Sequence, residues 1–357
     1  MHNRPEILAI LVPAFPANET ETSWVPTQQA LVLALQQYYP QVQLYVISLY
    51  YPGADTQYTW NGITVCSCNG ARNRKLQRPL FWRKVWSKLN AVRKKGRLLG
   101  VLSCWCGETA LVGRYFARRY ALPFYCWICG QDAAASNKMI RYIRPRAGEL
   151  IALSDFLAGT FENNHGIKPA HVIPNGVRPE LFPVPASSQR DIDIAGAGSL
   201  SALKRYDLFA EAVNQLRQQF PSLKAVLCGN GSERKKLDLL IQEKHLTNHL
   251  QLAGELPHEA VISVMQRCKI FLHTSAYEGF SAACLEALYA GAYVISFCRP
   301  MHAAITHWYV VHDLPAMVAK AAELLQLPPY DVDTNRSRFP YTMQHTAAAV
   351  MHLFEQG

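Results

Sequence analysis

Glu278 and Glu286, two carboxylates with seven residues between them, lie in the segment "TSAYEGFSAACLEALYAGAYVIS" (274–296). The run 270–275 reads as a strand that delivers Ser275 to its carboxyl end, Tyr277 to Ser281 as a loop, and the residues after it as a helix. A helix amino terminus offers unpaired N–H donors and the positive end of the helix dipole, a seat for an anion such as a nucleotide diphosphate. Gly279 allows close backbone approach by a ligand. Glu286 lies about two turns beyond it, so the two share a face. From there its carboxylate could accept paired hydrogen bonds from vicinal hydroxyls. The bland alternative is a pair of solvated carboxylates at a helix start, which is a common arrangement.

Other groupings invite metal chemistry and fail on position. Cys104 and Cys106, with Cys126 and Cys129, have the numbers for a zinc site, but the second pair lies in the apolar strand "LPFYCWICG". Alternation along a strand keeps Cys126 and Cys129 from aiming at one ion, so buried, inert thiols are expected. Asp191 and Asp193 open a strand whose far end would carry the site, and Asp331 and Asp333 lie in the connector "PPYDVDT". His171, His258 and His273 stand singly on strands or turns and are expected to be structural. Neither a Ser-His-Asp order nor a GxxxxGK[ST] loop competes. No metal and no other cofactor is expected.

The elements that must position these residues alternate throughout. Apolar runs at 7–15, 42–51, 98–105, 123–130, 149–156 and 170–177 read as strands, with helical patterns at 25–39 and 107–121. A Pro-rich stretch, 178–190, marks a boundary. The alternation then repeats: strands near 191–199, 223–231, 250–256, 269–275 and 292–297 are separated by helical patterns, and a last helix covers 342–356. This is the signature of α/β architecture with two doubly wound, Rossmann-like domains, 1–180 and 181–340. Both would aim the carboxyl ends of their strands into a shared cleft, with 341–357 as a terminal helix that could return to the first domain.

The chain of 357 residues is 50% hydrophobic and 17% charged, which excludes a disordered chain or a small disulfide scaffold. No run of 18 apolar residues occurs and the amino terminus does not read as a signal peptide, so a cytoplasmic location, possibly peripheral on the membrane, is expected. The net charge of +10 is concentrated: between Asp55 and Glu108 no acid interrupts eleven basic residues, Arg72, Arg74, Lys75 and Arg78 among them. Within that segment Trp82, Val85, Trp86, Leu89 and Val92 form one helical stripe. Two readings stand side by side: an anionic membrane surface bound through 72–97, or a surface helix docked on its own sheet with a solvated basic face. Nucleic acid is not expected as a partner, since no recognition motif accompanies the charge.

The segment 274–296 resembles the signature of the retaining family-4 glycosyltransferases, also called glycosyl transferases group 1, whose fold is GT-B. Three further blocks follow the family's order: 153–177, "GAGSLSALKRYDLF" (196–209) as a phosphate loop, and "LCGNGSERKKL" (227–237) as a second glycine turn containing Gly229. In the first half "FPANETE" (15–21) and "GQDA" (130–133) match more loosely. The resemblance implies a metal-independent, retaining transfer from a nucleotide-sugar donor (UDP- or GDP-sugar) to a hydroxyl of a carbohydrate or lipid-linked acceptor. It gives Glu286 the donor ribose, Glu278 the hydroxyls of the donor sugar and Lys204 the diphosphate, with Gly198, Gly279, Phe280 and Ser281 lining the site. Where the family places an Arg after the glycine this chain has Ser199, so Arg205 or the Ser199 hydroxyl would have to compensate. Cys129 precedes Gly130, Gln131 and Asp132 where relatives often present a His. Gln131 and Asp132 are the acceptor-side candidates. Asp132 could take the acceptor's proton, orient its hydroxyl, or cap the next helix. The competing reading is a relative that binds sugar nucleotide or glycan without transfer, marked by the missing Arg and His.

Overall fold

The structure, a computed structural model, describes residues 4–21, 25–70, 77–183 and 190–356. Arg72, Arg74 and Lys75 lie outside the described residues, as does part of the Pro-rich stretch. The chain divides into two compact units, Met1–Gly176 with Met343–Gly357, and Val177–Thr342. The boundary precedes the Pro-rich stretch because Val177 is already held by the second unit: it bridges Thr342, and its amide donates to the Tyr341 carbonyl at 2.8 Å.

Among the described residues the first unit is built on eight strands: β1 (Glu6–Ala14), β2 (Val42–Tyr51), β3 (Gln57–Trp60), β4 (Ile63–Ser67), β5 (Arg97–Cys104), β6 (Phe124–Ile128), β7 (Leu150–Ala152) and β8 (His171–Val172). Their order is β3-β4-β2-β1-β5-β6-β7-β8, parallel except between β3 and β4. Ile7 to Val12 of β1 are buried without a break, because a central parallel strand is covered on both faces. Among the described residues the second unit has six parallel strands: β9 (Ile192–Ala197), β10 (Ala225–Cys228), β11 (Leu250–Gly254), β12 (Cys268–His273), β13 (Tyr293–Ser296) and β14 (Trp308–Val310). Their order is β11-β10-β9-β12-β13-β14, which reverses between β9 and β12. Ligands of doubly wound sheets bind at such a reversal, beyond the carboxyl ends of the strands.

Several elements depart from the sequence reading. The β3–β4 hairpin is additional, closed by Asn61-Gly62 with φ of 46° and 79°, the primed-turn geometry that this dipeptide favours. The run 149–156 is a strand only over Leu150–Ala152. Ser154 then accepts from the Leu157 amide at 3.1 Å and caps the helix Asp155–His165. The expected strand at 170–177 shortens to His171–Val172. The terminal helix Met343–Glu355 packs against the helix Pro26–Tyr38 and β5, and the Phe354 ring lies where a side chain on Gly100 would project, 2.6 Å from an ideal Cβ.

The basic segment is more deeply packed than its composition suggests. The stripe of helix Arg78–Arg93 is core: Val85 and Leu89 are fully buried, and Trp86 meets the Phe116 ring edge-on at 5.1 Å. Val85, Leu89 and Val92 of that stripe are therefore covered by the protein itself, while Trp82 and Trp86 stay half-buried. Four of the segment's eleven basic residues are answered by acids outside the acid-free stretch. Lys84 and Lys88 both reach Asp55 at 2.7 Å, Arg78 reaches Glu108 at 3.1 Å, and Arg97 reaches Glu6 at 2.8 Å. Arg93 lies over the Tyr120 ring and Lys95 over the Tyr45 ring. Among the described residues no helix is long and apolar enough to cross a membrane.

Candidate functional site

In the second unit the site grows from the loops that follow β9, β10 and β12. Gly198 ends β9 with φ of 149°, and Gly229 ends β10 with φ of 136°. A Cβ on Gly229 would stand 1.9 Å from the Gly198 carbonyl oxygen, so the two loops cross backbone against backbone. The Gly198 amide donates to the Cys228 carbonyl at 3.0 Å, and the Gly229 amide to the Gly254 carbonyl at 2.7 Å. Beside this crossing is a cavity of about 350 Å³ lined by Gly198, Gly229, Leu256, Met265, Glu255 and Glu286, with Ser199 and Asn230 also on its wall. Backbone polar groups, apolar side chains and two carboxylates thus converge, the composition of a small-molecule site.

Lys204 reaches Glu278 because their loops are tied together. The Thr274 hydroxyl donates to the Lys204 carbonyl at 2.8 Å, and the Ala276 amide to the Leu203 carbonyl at 3.1 Å. The Lys204 ammonium is ion-paired with Glu278 Oε2, and His273 Nε2 lies 3.4 Å from the same oxygen. Burial pushes the Glu278 carboxyl up, but His273 and Lys204 together outweigh it and hold the group down to about 2. His273 is itself buried, and that burial pushes its imidazole below the ordinary value, with Lys204 adding to the effect and Glu278 opposing it. His273 Nδ1 has no hydrogen-bond partner among the described residues. His258 Nε2 lies 2.9 Å from Glu286 Oε1. These contacts show that His258 and His273 sit against the two glutamates. Standing singly in sequence, they carried no sign of it.

Other expected site residues are placed differently. Phe280 is 3% exposed, its ring stacked on Trp308 at 5.9 Å and edge-on to Tyr341 at 5.4 Å, so it packs the loop. The Ser281 hydroxyl accepts from the Cys284 amide at 3.3 Å and caps the helix Ala282–Tyr289 that carries Glu286. Gly279 has no left-handed φ. Arg205 has φ of 50° and pairs with Asp207 at 3.4 Å beside a separate pocket that includes Glu233 and Lys236. Ser199, which stands where the family places an Arg, is exposed.

In the first unit Gln131 and Asp132 follow β6, and Gln131 is exposed. Asp132 Oδ1 accepts from the Gly130 amide at 2.8 Å and the Cys129 amide at 3.0 Å, and Oδ2 from the Cys106 amide at 2.8 Å. It staples two loops rather than capping one helix. Burial pushes its carboxyl up, and the amides only partly offset that shift.

The cysteines are free thiols, and burial pushes Cys104 up to about 12 and Cys126 well above its ordinary value. Asp191 pairs with Arg267, Asp193 with Lys269, and Asp331 caps the helix Val332–Ser337. Among the described residues no group of three or more His, Cys, Asp or Glu side chains is placed to hold a metal ion.

Comparison with known proteins decides the second unit. Residues 177–323 match the family described as "Glycosyl transferases group 1". This part of the chain is a glycosyl transferases group 1 domain. The match opens at Val177, the first residue of the second unit, and spans the Gly198 loop, Lys204, Glu278 and Glu286. A phosphatidylinositol N-acetylglucosaminyltransferase of Arabidopsis thaliana is 29% identical over 165 residues, 45% of this chain and 37% of that protein. The gpi3 component of the Schizosaccharomyces pombe enzyme is 26% identical over 203 residues, 55% of this chain and 44% of its own length. The matched stretches thus span less than half of these curated relatives. Among solved structures, Anabaena HepE in complex with UDP superposes with a TM-score of 0.71 at 15% identity, covering 99% of this chain and 100% of that one. Sucrose-phosphate synthase of Thermosynechococcus elongatus gives 0.70 at 16% identity, covering 99% of each chain. The fold of the chain is GT-B, with two parallel-sheet α/β units.

Proposed function

We propose that this protein is a retaining glycosyltransferase that moves a sugar from a nucleoside-diphosphate sugar to a hydroxyl acceptor in glycan or glycolipid synthesis. The observation that carries the reading is the Lys204–Glu278 ion pair at the β9/β12 reversal, beside a cavity lined by Gly198, Gly229 and Glu286. In this reading Glu286 Oε2 accepts from ribose hydroxyls while Oε1 stays on His258. Lys204 offsets the charge that grows on the departing diphosphate. Glu278 holds the donor sugar's hydroxyls, and its low pKa keeps it an acceptor throughout the physiological range. Departure and attack on the same face, through an oxocarbenium-like state, retain the anomeric configuration. No metal ion takes part. Gln131 contacts the acceptor, and Asp132 fixes the loop that presents it.

Several relatives are named as N-acetylglucosaminyltransferases and HepE holds UDP, which makes UDP-N-acetylglucosamine the first donor to test. The test measures release of UDP from that donor, and from UDP-glucose and GDP-mannose, with and without chelator. The anomeric configuration of the product is read by NMR. Chelator-insensitive release with retained configuration is expected. Inversion, or loss of turnover on chelation, overturns the mechanism. Ser199, and the pairing of Arg205 with Asp207, favour one second reading, a sugar-nucleotide-binding relative without transfer. Tight nucleotide binding without turnover of any donor would establish it.

A further inference from the structure

The sheet of the first unit reverses as well, because β2 lies on one side of β1 and β5 on the other. Beyond the carboxyl ends of β1 and β5 is therefore where a ligand of this unit belongs. Trp105 is the first residue after β5, and its φ is 68°. A left-handed backbone is uncommon for so bulky a side chain and persists only where the surroundings impose it. Here they do. The Trp105 amide donates to the Trp127 carbonyl at 2.9 Å, and the Trp105 carbonyl accepts from the Thr109 hydroxyl at 2.9 Å and the Ser103 hydroxyl at 3.3 Å. The Cys106 amide donates to Asp132 Oδ2 at 2.8 Å, and its carbonyl accepts from Asn137 Nδ2 at 2.9 Å. The backbone donors and acceptors of both residues are thus engaged.

The indole ring is what this framework leaves over. It is half-buried, and among the described residues it meets no other aromatic ring. Trp60, Trp127 and Trp308 are buried instead, and Trp86 rests on Phe116. A turn needing only a left-handed residue would be made with less strain by glycine. The turn itself lies against the acceptor-side loop. Asp132 takes the amides of Cys129 and Gly130 together with that of Cys106, which sets the loop carrying the exposed Gln131 beside Trp105 and Cys106. From the β1 side, Gln28 of the helix Pro26–Tyr38 brings Nε2 to 3.6 Å from Cys129 Sγ.

We infer that Trp105 is the platform on which a sugar ring of the acceptor stacks, so that the acceptor is a glycoside. A pyranose has a face of C–H bonds and a rim of hydroxyls. The C–H face fits the electron-rich face of an indole, and the Gln131 carboxamide both donates to and accepts from hydroxyls of the rim. A linear alcohol or a bare phosphate has no such face to offer. Holding Trp105 by its backbone, rather than by packing its ring, is what keeps one ring face open at the end of β5. The inference rests on the transferase reading for the word acceptor, yet sugar binding at Trp105 is measurable without turnover.

The experiment is saturation-transfer NMR on the full chain with the methyl β-glycosides of glucose, galactose and N-acetylglucosamine, each alone and without donor. For at least one of them, protons of a single pyranose face should receive most of the saturation. Trp105→Asn removes the ring but suits the left-handed φ, and it should abolish that pattern. Trp105→Phe should keep it. Thermal melts of both variants separate a lost platform from a lost fold. With a donor that turns over, Trp105→Asn should raise the acceptor KM about tenfold and leave the donor KM unchanged, while Trp105→Phe stays within about threefold of the parent. Saturation that depends on Trp105, without turnover of any donor, would support the platform and sink the transferase reading. No saturation of any glycoside overturns the proposal. So does saturation that Trp105→Asn leaves intact, or transfer to sn-glycerol 1-phosphate in preference to every glycoside.

Discussion

Nε2 of His258 lies 2.9 Å from Oε1 of Glu286, although the two residues are 28 positions apart. The contact leaves Oε2 of Glu286 for a ligand and fixes the plane of the carboxylate. The hydrogen bond to Glu286 raises the His258 pKa above 6.5, against an opposing effect of burial. A raised folded-state pKa contributes stability that is fully present below the unfolded value and lost as pH rises through the folded one. The thermal midpoint should therefore fall, relative to His258→Gln, as pH climbs past the histidine range, and nucleoside-diphosphate affinity should weaken in parallel. His258→Gln should raise KM for the donor about fivefold with kcat little changed, the size of one hydrogen bond. Equal KM in parent and variant would show that His258 does not position Glu286.

Lys204 and Glu278 make a sharper pair. Lys204→Ala should lower kcat by about 10²–10³-fold, the scale seen when a preorganised charge-stabilising donor is removed. Arg205→Ala should change it little, because that side chain pairs with Asp207. A larger loss from Arg205→Ala would mean the loop register is wrong. The same lysine also governs acid stability. Glu278 sits at about 2, below its ordinary 4.5, so it contributes stability above 4.5 that is lost as pH falls toward 2. Lys204→Ala removes one of the two groups that hold it there. Acid unfolding of the variant, followed by circular dichroism, should begin at higher pH than in the parent.

Much of this arrangement is legible in the amino-acid sequence. Parallel strands covered on both faces read as continuous apolar runs, so β1, β2, β9 and β12 announce themselves. Glu278 and Glu286 are legible because they bracket a single helix start. His258 and His273 are not, since their partners arrive through the sheet order rather than through local spacing. The wall residues Glu255, Leu256 and Met265 are hidden for the same reason. The hairpin β3–β4 carries a usable sign in Asn61-Gly62. The partners of the basic segment are hidden because charge counted along the chain ignores its fold, whereas Asp55 reaches 29 and 33 positions ahead to Lys84 and Lys88.

The helix Arg78–Arg93 offers a direct check on that last point. Leu89 is fully buried, so Leu89→Ala should cost about 2–5 kcal/mol of unfolding free energy in urea titrations. A surface-exposed membrane stripe would instead tolerate the change within about 0.5 kcal/mol. Asp55→Asn should destabilise only slightly, because the Lys84 and Lys88 pairs are partly exposed.

The crossing of Gly198 and Gly229 tests the site without touching any charged group. At Gly229 a side chain meets two obstacles at once: φ of 136° lies where L-residues are strained, and the Cβ would fall 1.9 Å from the Gly198 carbonyl oxygen. That oxygen is backbone, so the loops must separate for the side chain to fit. Separation would pull on the Gly198–Cys228 and Gly229–Gly254 hydrogen bonds and open the floor of the cavity that Glu286 also lines. Gly229→Ala should therefore abolish nucleoside-diphosphate binding in calorimetry and lower the thermal midpoint. Gly148→Ala, in the first unit where nothing lies within 4 Å of the added carbon, should do neither. Full nucleotide affinity in Gly229→Ala would mean that the ligand does not rest on this crossing, and the site would have to be sought away from the carboxyl ends of β9 and β10.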